Sequence, residues 1–139
     1  MNFLDAHQQL IRHSIKPSVQ RTIIMEYLLK NRIHPTVDDI YSALHPSMPT
    51  LSKTTVYNTL NLFAEQGVVR VLFLDGKNAR YDIGMEDHAH FICKQCNSVH
   101  DIFGLKPVVF ELPKHSDFEI EAGEMIYTGL CKKCKVARN

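Results

Sequence analysis

The four cysteines stand as two Cys-x2-Cys units, Cys93 with Cys96 and Cys131 with Cys134. Two such knuckles can offer four thiolates in a tetrahedron, the donor set of a closed structural zinc site. In a chain of cytosolic character this spacing reads as metal before it reads as two disulfides. Each knuckle ends or follows a strand-like run, so a bound metal would staple the last strand to the body of a small domain and become part of its folding. A thiol redox switch and an iron–sulfur cluster are rival uses of the same cysteines, since oxidation would eject a metal and melt the staple.

A second constellation is less regular. His34 precedes one helical pattern, Asp82 closes a strand, His88-x-His90 sits beside the first knuckle, and Asp101 lies on the next strand. Residues two apart on a strand point to the same side, so one ion can take both His88 and His90. Three imidazoles with two carboxylates form a hard nitrogen–oxygen set suited to Fe²⁺ or Mn²⁺, although Zn²⁺ competes strongly for such sites. Because His34 and Asp82 come from one half and the other three from the second, an ion holding all five would tie the halves together. His100 should point away from Asp101 on a strand, and His7, His13, His45 and His115 lack partners at ligand spacing.

The elements that must position these groups divide the chain. Pro17 and Ser18 open a helical segment through Lys30, with Ile23, Ile24, Tyr27 and Leu28 at helical spacing. Pro35 and Thr36 open a second, carrying Val37, Ile40, Tyr41 and Leu44. A third begins at Ser52 and stops at Gly67. The period then changes. Val68 to Leu74 reads as a strand, Asp75-Gly76-Lys77-Asn78 as a turn, and Ala79 to Ile83 as a second strand. Three helices followed by a hairpin make a winged helix-turn-helix.

On the third helix, Val56, Leu60 and Phe63 share one side, while Thr54, Tyr57, Asn58 and Asn61 share the other. Compact hydrogen-bonding groups with a tyrosine suit base edges and phosphates in a major groove. Lys53 and Thr55 on the same helix, Arg21 before it, and Lys77 and Arg80 on the wing complete the expected DNA contacts. Further on, His90 to Ile92, Val99 to Phe103 and Phe118 to Leu130 read as short strands around the cysteines. Gly84 to Asp87 is the expected linker, and Pro107 and Pro113 leave room only for a very short helix between 104 and 117.

Bulk properties agree with an ordinary globular protein and exclude little. The chain has 139 residues, 45% hydrophobic and 22% charged, with a formal charge of +1. Basic residues gather between Arg12 and Arg80, and acids between 82 and 124. No apolar run is long enough to span a bilayer, and Asp5, His7 and two glutamines occupy the place of a signal peptide's apolar stretch, so a cytoplasmic location is expected.

His34-Pro35-Thr36-x-Asp38-Asp39-Ile40-Tyr41, Ser52-x-x-Thr55-Val56-Tyr57-Asn58, Arg80-Tyr81-Asp82 and Asp87-His88-x-His90-x-x-Cys93-x-x-Cys96 resemble the ferric uptake regulator (Fur) family in order and spacing. The match runs over residues 15 to 103 and returns at Cys131-x-x-Cys134. The resemblance implies an α+β chain: a winged helix-turn-helix DNA-binding domain over 1–83, then a small α/β, zinc-stapled dimerisation domain over 84–139. It also implies a homodimer on palindromic DNA, structural zinc on Cys93, Cys96, Cys131 and Cys134, and a regulatory Fe²⁺ or Mn²⁺ on His34, Asp82, His88, His90 and Asp101.

Within the family, the peroxide-sensing, PerR-like branch carries aspartate at the position matching Asp101, where iron-uptake sensors usually carry glutamate. The resemblance to that branch implies that Fe²⁺ reacts with H₂O₂ and that oxygen is added to His34 and His88, releasing the promoter. A further metal site of iron-uptake members falls on Asp87, Ala89 and the Ala122-Gly123 region, and is expected to be absent. Two features depart from the family: the space for a dimerisation helix after Asp101 is short, and Lys16-Pro17-Ser18-Val19-Gln20-Arg21 replaces a tighter helix opening. Regulation of iron or manganese homeostasis without peroxide chemistry is the alternative. A metalloenzyme using Glu86 or Asp87 as base lacks a visible pocket, and a zinc-stapled interaction module leaves the polar helix face unexplained, so no enzymatic activity is expected.

Overall fold

A computed structural model describes residues 3–73, 78–83, 88–104, 117–119 and 124–138. The chain packs as two compact units, Met1–Met85 and Glu86–Asn139. Among the described residues no helix is long and apolar enough to cross a membrane.

The first unit opens with a helix not expected from sequence, α1 (Phe3–Arg12). Ala6 and Leu10, four residues apart, are fully buried, and Asp5 and Arg12 lie at the ends that suit their charges. The helix closes with Ser14 at φ +59°, Ser14 N–H donating to Ile11 O at 3.0 Å and Ile15 N–H to Leu10 O at 2.9 Å. This left-handed closure buries Ile15 beside Leu10.

The next three helices start where their caps stand. Ser18 accepts from Arg21 N–H ahead of α2 (Val19–Lys30), and Thr36 and Asp39 form a reciprocal capping box on α3 (Val37–Leu44). Ser52 accepts from Thr55 N–H at 3.0 Å ahead of α4 (Lys53–Glu65). Gly67 at φ +75° ends α4, with Val68 N–H reaching back to Phe63 O at 2.8 Å. Val68 is therefore part of a helix cap, and the strand expected from Val68 to Leu74 shortens to β1 (Arg70–Leu72). Its partner, expected over Ala79 to Ile83, is β2 (Arg80–Asp82), paired antiparallel with Arg70 opposite Asp82. The expected turn falls outside the described residues except for Asn78. Ile24, Leu28, Ile40, Val56, Leu60, Phe63 and Tyr81 fill the core of this unit.

The second unit is a three-stranded sheet in the order β4-β3-β5. The hairpin of β3 (Ala89–Cys93) and β4 (Val99–Ile102) sets His90 opposite Asp101. The last strand, β5 (Ile126–Gly129), runs parallel to β3 and is shorter than expected, since Phe118 and Glu119 lie outside any strand. A short helix not expected from sequence, α5 (Lys132–Arg138), follows and carries the buried Cys134. The proposed short helix between Pro107 and Pro113, the Gly84 to Asp87 linker and His115 lie outside the described residues.

Candidate functional site

The β3–β4 turn and the β5–α5 junction bring the cysteines together. Asn97 at φ +59° lets the chain fold back after Cys93, whose N–H donates to Ser98 O at 3.0 Å. Lys94 N–H donates to Gly129 O at 2.8 Å, tying this turn to β5. The four sulfurs lie within 4.8 Å of one another, with Cys96 and Cys131 Sγ 3.8 Å apart. A tetrahedron with zinc–sulfur bonds of about 2.3 Å has edges of about 3.8 Å. No disulfide joins the four cysteines, and the donor set fits zinc.

Electrostatics separate the four sulfurs. The backbone N–H of Cys96, then that of Cys131, lowers the Cys93 thiol to about 6. The Ser98 hydroxyl heads the causes that lower Cys96. Cys134 is pushed up to about 12, first by burial and then by the neighbouring sulfurs. Four thiolates this close repel one another, and a divalent cation among them relieves both the repulsion and the burial cost. Outside the sulfurs, Ser98 Oγ lies 3.0 Å from Cys96 Sγ and 2.9 Å from His100 Nε2. His100 thus turns away from Asp101, as a strand requires, and toward the cysteines.

In the same unit a second donor group converges. His88 Nε2 lies 3.1 Å from His90 Nε2 and 3.3 Å from Asp101 Oδ1, and His90 Nε2 lies 3.6 Å from that oxygen. Neighbouring ligands on an octahedral ion with bonds of about 2.1 Å stand about 3 Å apart, so these three atoms suit one face of such an ion. Both histidines are buried at their side chains, and the Phe103 ring lies against His88 with centroids 5.1 Å apart.

The first unit holds a smaller pair. His34 Nε2 is 3.9 Å from Asp82 Oδ2, both side chains buried. His34 has φ +55° although it precedes a proline, a left-handed geometry that costs a non-glycine residue about 1–2 kcal/mol. Two bonds from β2 hold the segment: Arg80 Nη1 donates to His34 O at 3.2 Å, and Tyr81 N–H donates to Pro35 O at 3.0 Å. Arg80, expected to reach phosphate from the wing, therefore directs its guanidinium inward, with Nε buried.

The expected nucleic-acid face is on α4. Val56, Leu60 and Phe63 are fully buried, while Thr54, Tyr57 and Asn58 are exposed and Thr55 and Asn61 half-exposed. Lys53 is engaged within the unit, 3.1 Å from Asp38 Oδ1 with its ammonium 5.5 Å from the Tyr41 ring centre. Arg21 donates from Nη1 to Lys16 O at 2.7 Å. An open groove joins Lys16, Ser18 and Arg21 to Thr55 and Asn58. Lys16 in this groove was not singled out from sequence as an interface residue, because it precedes the first helix expected from sequence and shows only as one basic residue among many. Lys77 falls outside the described residues.

Sequence relationships agree with this arrangement. The profile of the ferric uptake regulator family matches residues 12–128. The peroxide-responsive repressor PerR of Staphylococcus epidermidis is 35% identical over 132 residues, covering 94% of this chain and 88% of the relative. Among solved structures, the ferric uptake regulator of Francisella tularensis with iron superposes with a TM-score of 0.67 at 26% identity, covering 87% of this chain and 95% of that one. PerR from Streptococcus pyogenes shares the fold at a TM-score of 0.53 and 24% identity, over 95% of this chain and 92% of its own. Matched over most of its length by the family profile and by a relative above 30% identity, the chain is a member of the ferric uptake regulator family.

Proposed function

We propose that this chain is a metal-dependent, DNA-binding transcriptional repressor of the cytoplasm that senses hydrogen peroxide through Fe²⁺-dependent oxidation of His34 and His88. The observation that carries the reading is the convergence of His88 Nε2, His90 Nε2 and Asp101 Oδ1 within 3.1–3.6 Å. This set has no thiolate and suits a hard, redox-active ion better than a structural one. His34 and Asp82 of the first unit are proposed to complete its ligands, and the four cysteines to hold structural Zn²⁺. The 35% identity to a peroxide-responsive repressor, and aspartate at 101, support the peroxide branch.

In this reading residues 1–83 form a winged helix-turn-helix and 84–139 the dimerisation domain of a homodimer on palindromic DNA. Thr54, Thr55, Tyr57, Asn58 and Asn61 face the bases, with Arg21, Lys53 and Lys77 near phosphates. Metal strengthens DNA binding because it binds the DNA-competent arrangement more tightly than the open one, and DNA must tighten metal in return. Iron held by these residues would lend an electron to activate peroxide and recover it as the ring is oxidised, so that it is not consumed overall. The balance is then simple: one peroxide oxygen enters an imidazole ring, the other leaves as water, and the ring is oxidised by two electrons. A modified ring is a poor ligand, so the repressor leaves its site. Oxidation of its own ligand is stoichiometric and does not make the chain an enzyme.

The test is anisotropy on a duplex selected from a random pool by the Mn²⁺-loaded protein. Binding is expected with Mn²⁺ or, anaerobically, Fe²⁺, and peroxide should release only the iron form. The affinity should fall steeply with salt, and Asn58→Ala should cost about 1–3 kcal/mol on the selected sequence. Binding indifferent to salt contradicts the interface. Iron-loaded protein that stays bound through peroxide favours the homeostasis reading, for which the same nitrogen–oxygen donors serve equally well.

A further inference from the structure

The three residues of β2 all act on one segment. Asp82 brings its carboxylate to 3.9 Å from His34 Nε2, Tyr81 N–H bonds Pro35 O, and Arg80 Nη1 bonds His34 O at 3.2 Å. The Tyr81 ring is buried in the core, so the strand that carries the carboxylate is itself fixed. His34 sits at φ +55° immediately before a proline, where the local chain alone favours neither the sign of φ nor a helical continuation. Such a conformation persists only where surrounding contacts over-determine it. A half-buried guanidinium aimed at the carbonyl of that residue is such a contact, and its inward direction is not that of a group waiting for phosphate.

We infer that Arg80 is a positioning residue for the histidine–carboxylate centre: its bond to the His34 carbonyl keeps the imidazole turned toward Asp82. The inference rests on His34 being a ligand, as proposed above. Groups that orient metal ligands from outside the coordination sphere commonly change metal affinity 10–100-fold when removed. A phosphate contact would behave differently. It would weaken DNA binding at saturating metal and lower the salt slope by about one.

The experiment compares Arg80→Met, which keeps the aliphatic stem and loses the donor, with Arg80→Lys, which keeps one donor, and with His34→Ala. Zinc-loaded protein is titrated calorimetrically with Mn²⁺, and Co²⁺ absorption reports the geometry of the nitrogen–oxygen site. Arg80→Met should weaken Mn²⁺ about tenfold and alter the Co²⁺ spectrum, while Arg80→Lys recovers part of both. With Mn²⁺ saturating, its affinity and salt slope on the selected duplex should remain those of the unsubstituted protein. Unchanged Mn²⁺ affinity in Arg80→Met, beside a weakened His34→Ala, overturns the role of Arg80 alone. Unchanged affinity in His34→Ala removes the ligand reading and this role with it. A reduced salt slope with normal metal affinity would return Arg80 to the DNA surface.

Discussion

Cys134→Ser is expected to lose the structural zinc and, with it, the folded state of the second unit. Cys134 is buried, and its thiol is the sulfur that burial and neighbouring sulfurs push up to about 12. Bound metal is what makes a thiolate at this position favourable, so the metal and the packing of α5 stand or fall together. The sheet around it is small, and β5 joins it through one edge of β3. Structural zinc in comparably small domains contributes on the order of 10 kcal/mol to folding, against a net stability for such units of about 5–15 kcal/mol. Serine replaces a soft thiolate with a hydroxyl that zinc binds poorly, and it leaves that hydroxyl buried. Metal content by plasma mass spectrometry and thermal unfolding by circular dichroism should show zinc lost and the second unit's transition absent. Retention of stoichiometric zinc with an unchanged melt contradicts the four-cysteine assignment.

His88→Ala should act on the other centre alone. It removes the Nε2 that lies 3.1 Å from His90 and 3.3 Å from Asp101, leaving the cysteines untouched. The expected loss of Mn²⁺ affinity exceeds the roughly 10–100-fold seen when only an outer contact is removed. Metal-stimulated DNA binding should disappear, because the remaining donors no longer favour the DNA-competent arrangement enough to shift its population. Zinc should stay at full occupancy. Loss of both metals together would show that the donors have been divided wrongly between the two centres.

How much of this was legible in the residues depended on the range of the signal. α2, α3 and α4 were legible because Ser18, Thr36 and Ser52 cap them directly before helical apolar spacing. Gly67 announced the end of α4, whereas α1 closes on Ser14, a serine in the left-handed region that carries no glycine signature. The same closure at Gly67 drew Val68 into a cap and shortened β1, which an alternating pattern cannot foresee. Both donor sets could be named from residue type and spacing. Their geometry could not, since it depends on long-range pairings such as His90 opposite Asp101 and β3 beside β5. Direction was least legible. Arg80 reads as a cation for phosphate, yet its guanidinium meets a backbone carbonyl. Charge pattern records that a group is present, and only packing decides where it points.

Peroxide sensing at the histidine–carboxylate centre is tested most directly by oxidising the iron-loaded protein and weighing its peptides. Zinc-loaded protein is reconstituted anaerobically with Fe²⁺ or, in parallel, Mn²⁺, exposed briefly to H₂O₂, and digested. The expected result is one added oxygen on the peptides containing His34 or His88 with iron, and none with manganese. Unmodified histidines, with iron confirmed in the centre, would contradict peroxide sensing and leave a regulator of metal homeostasis.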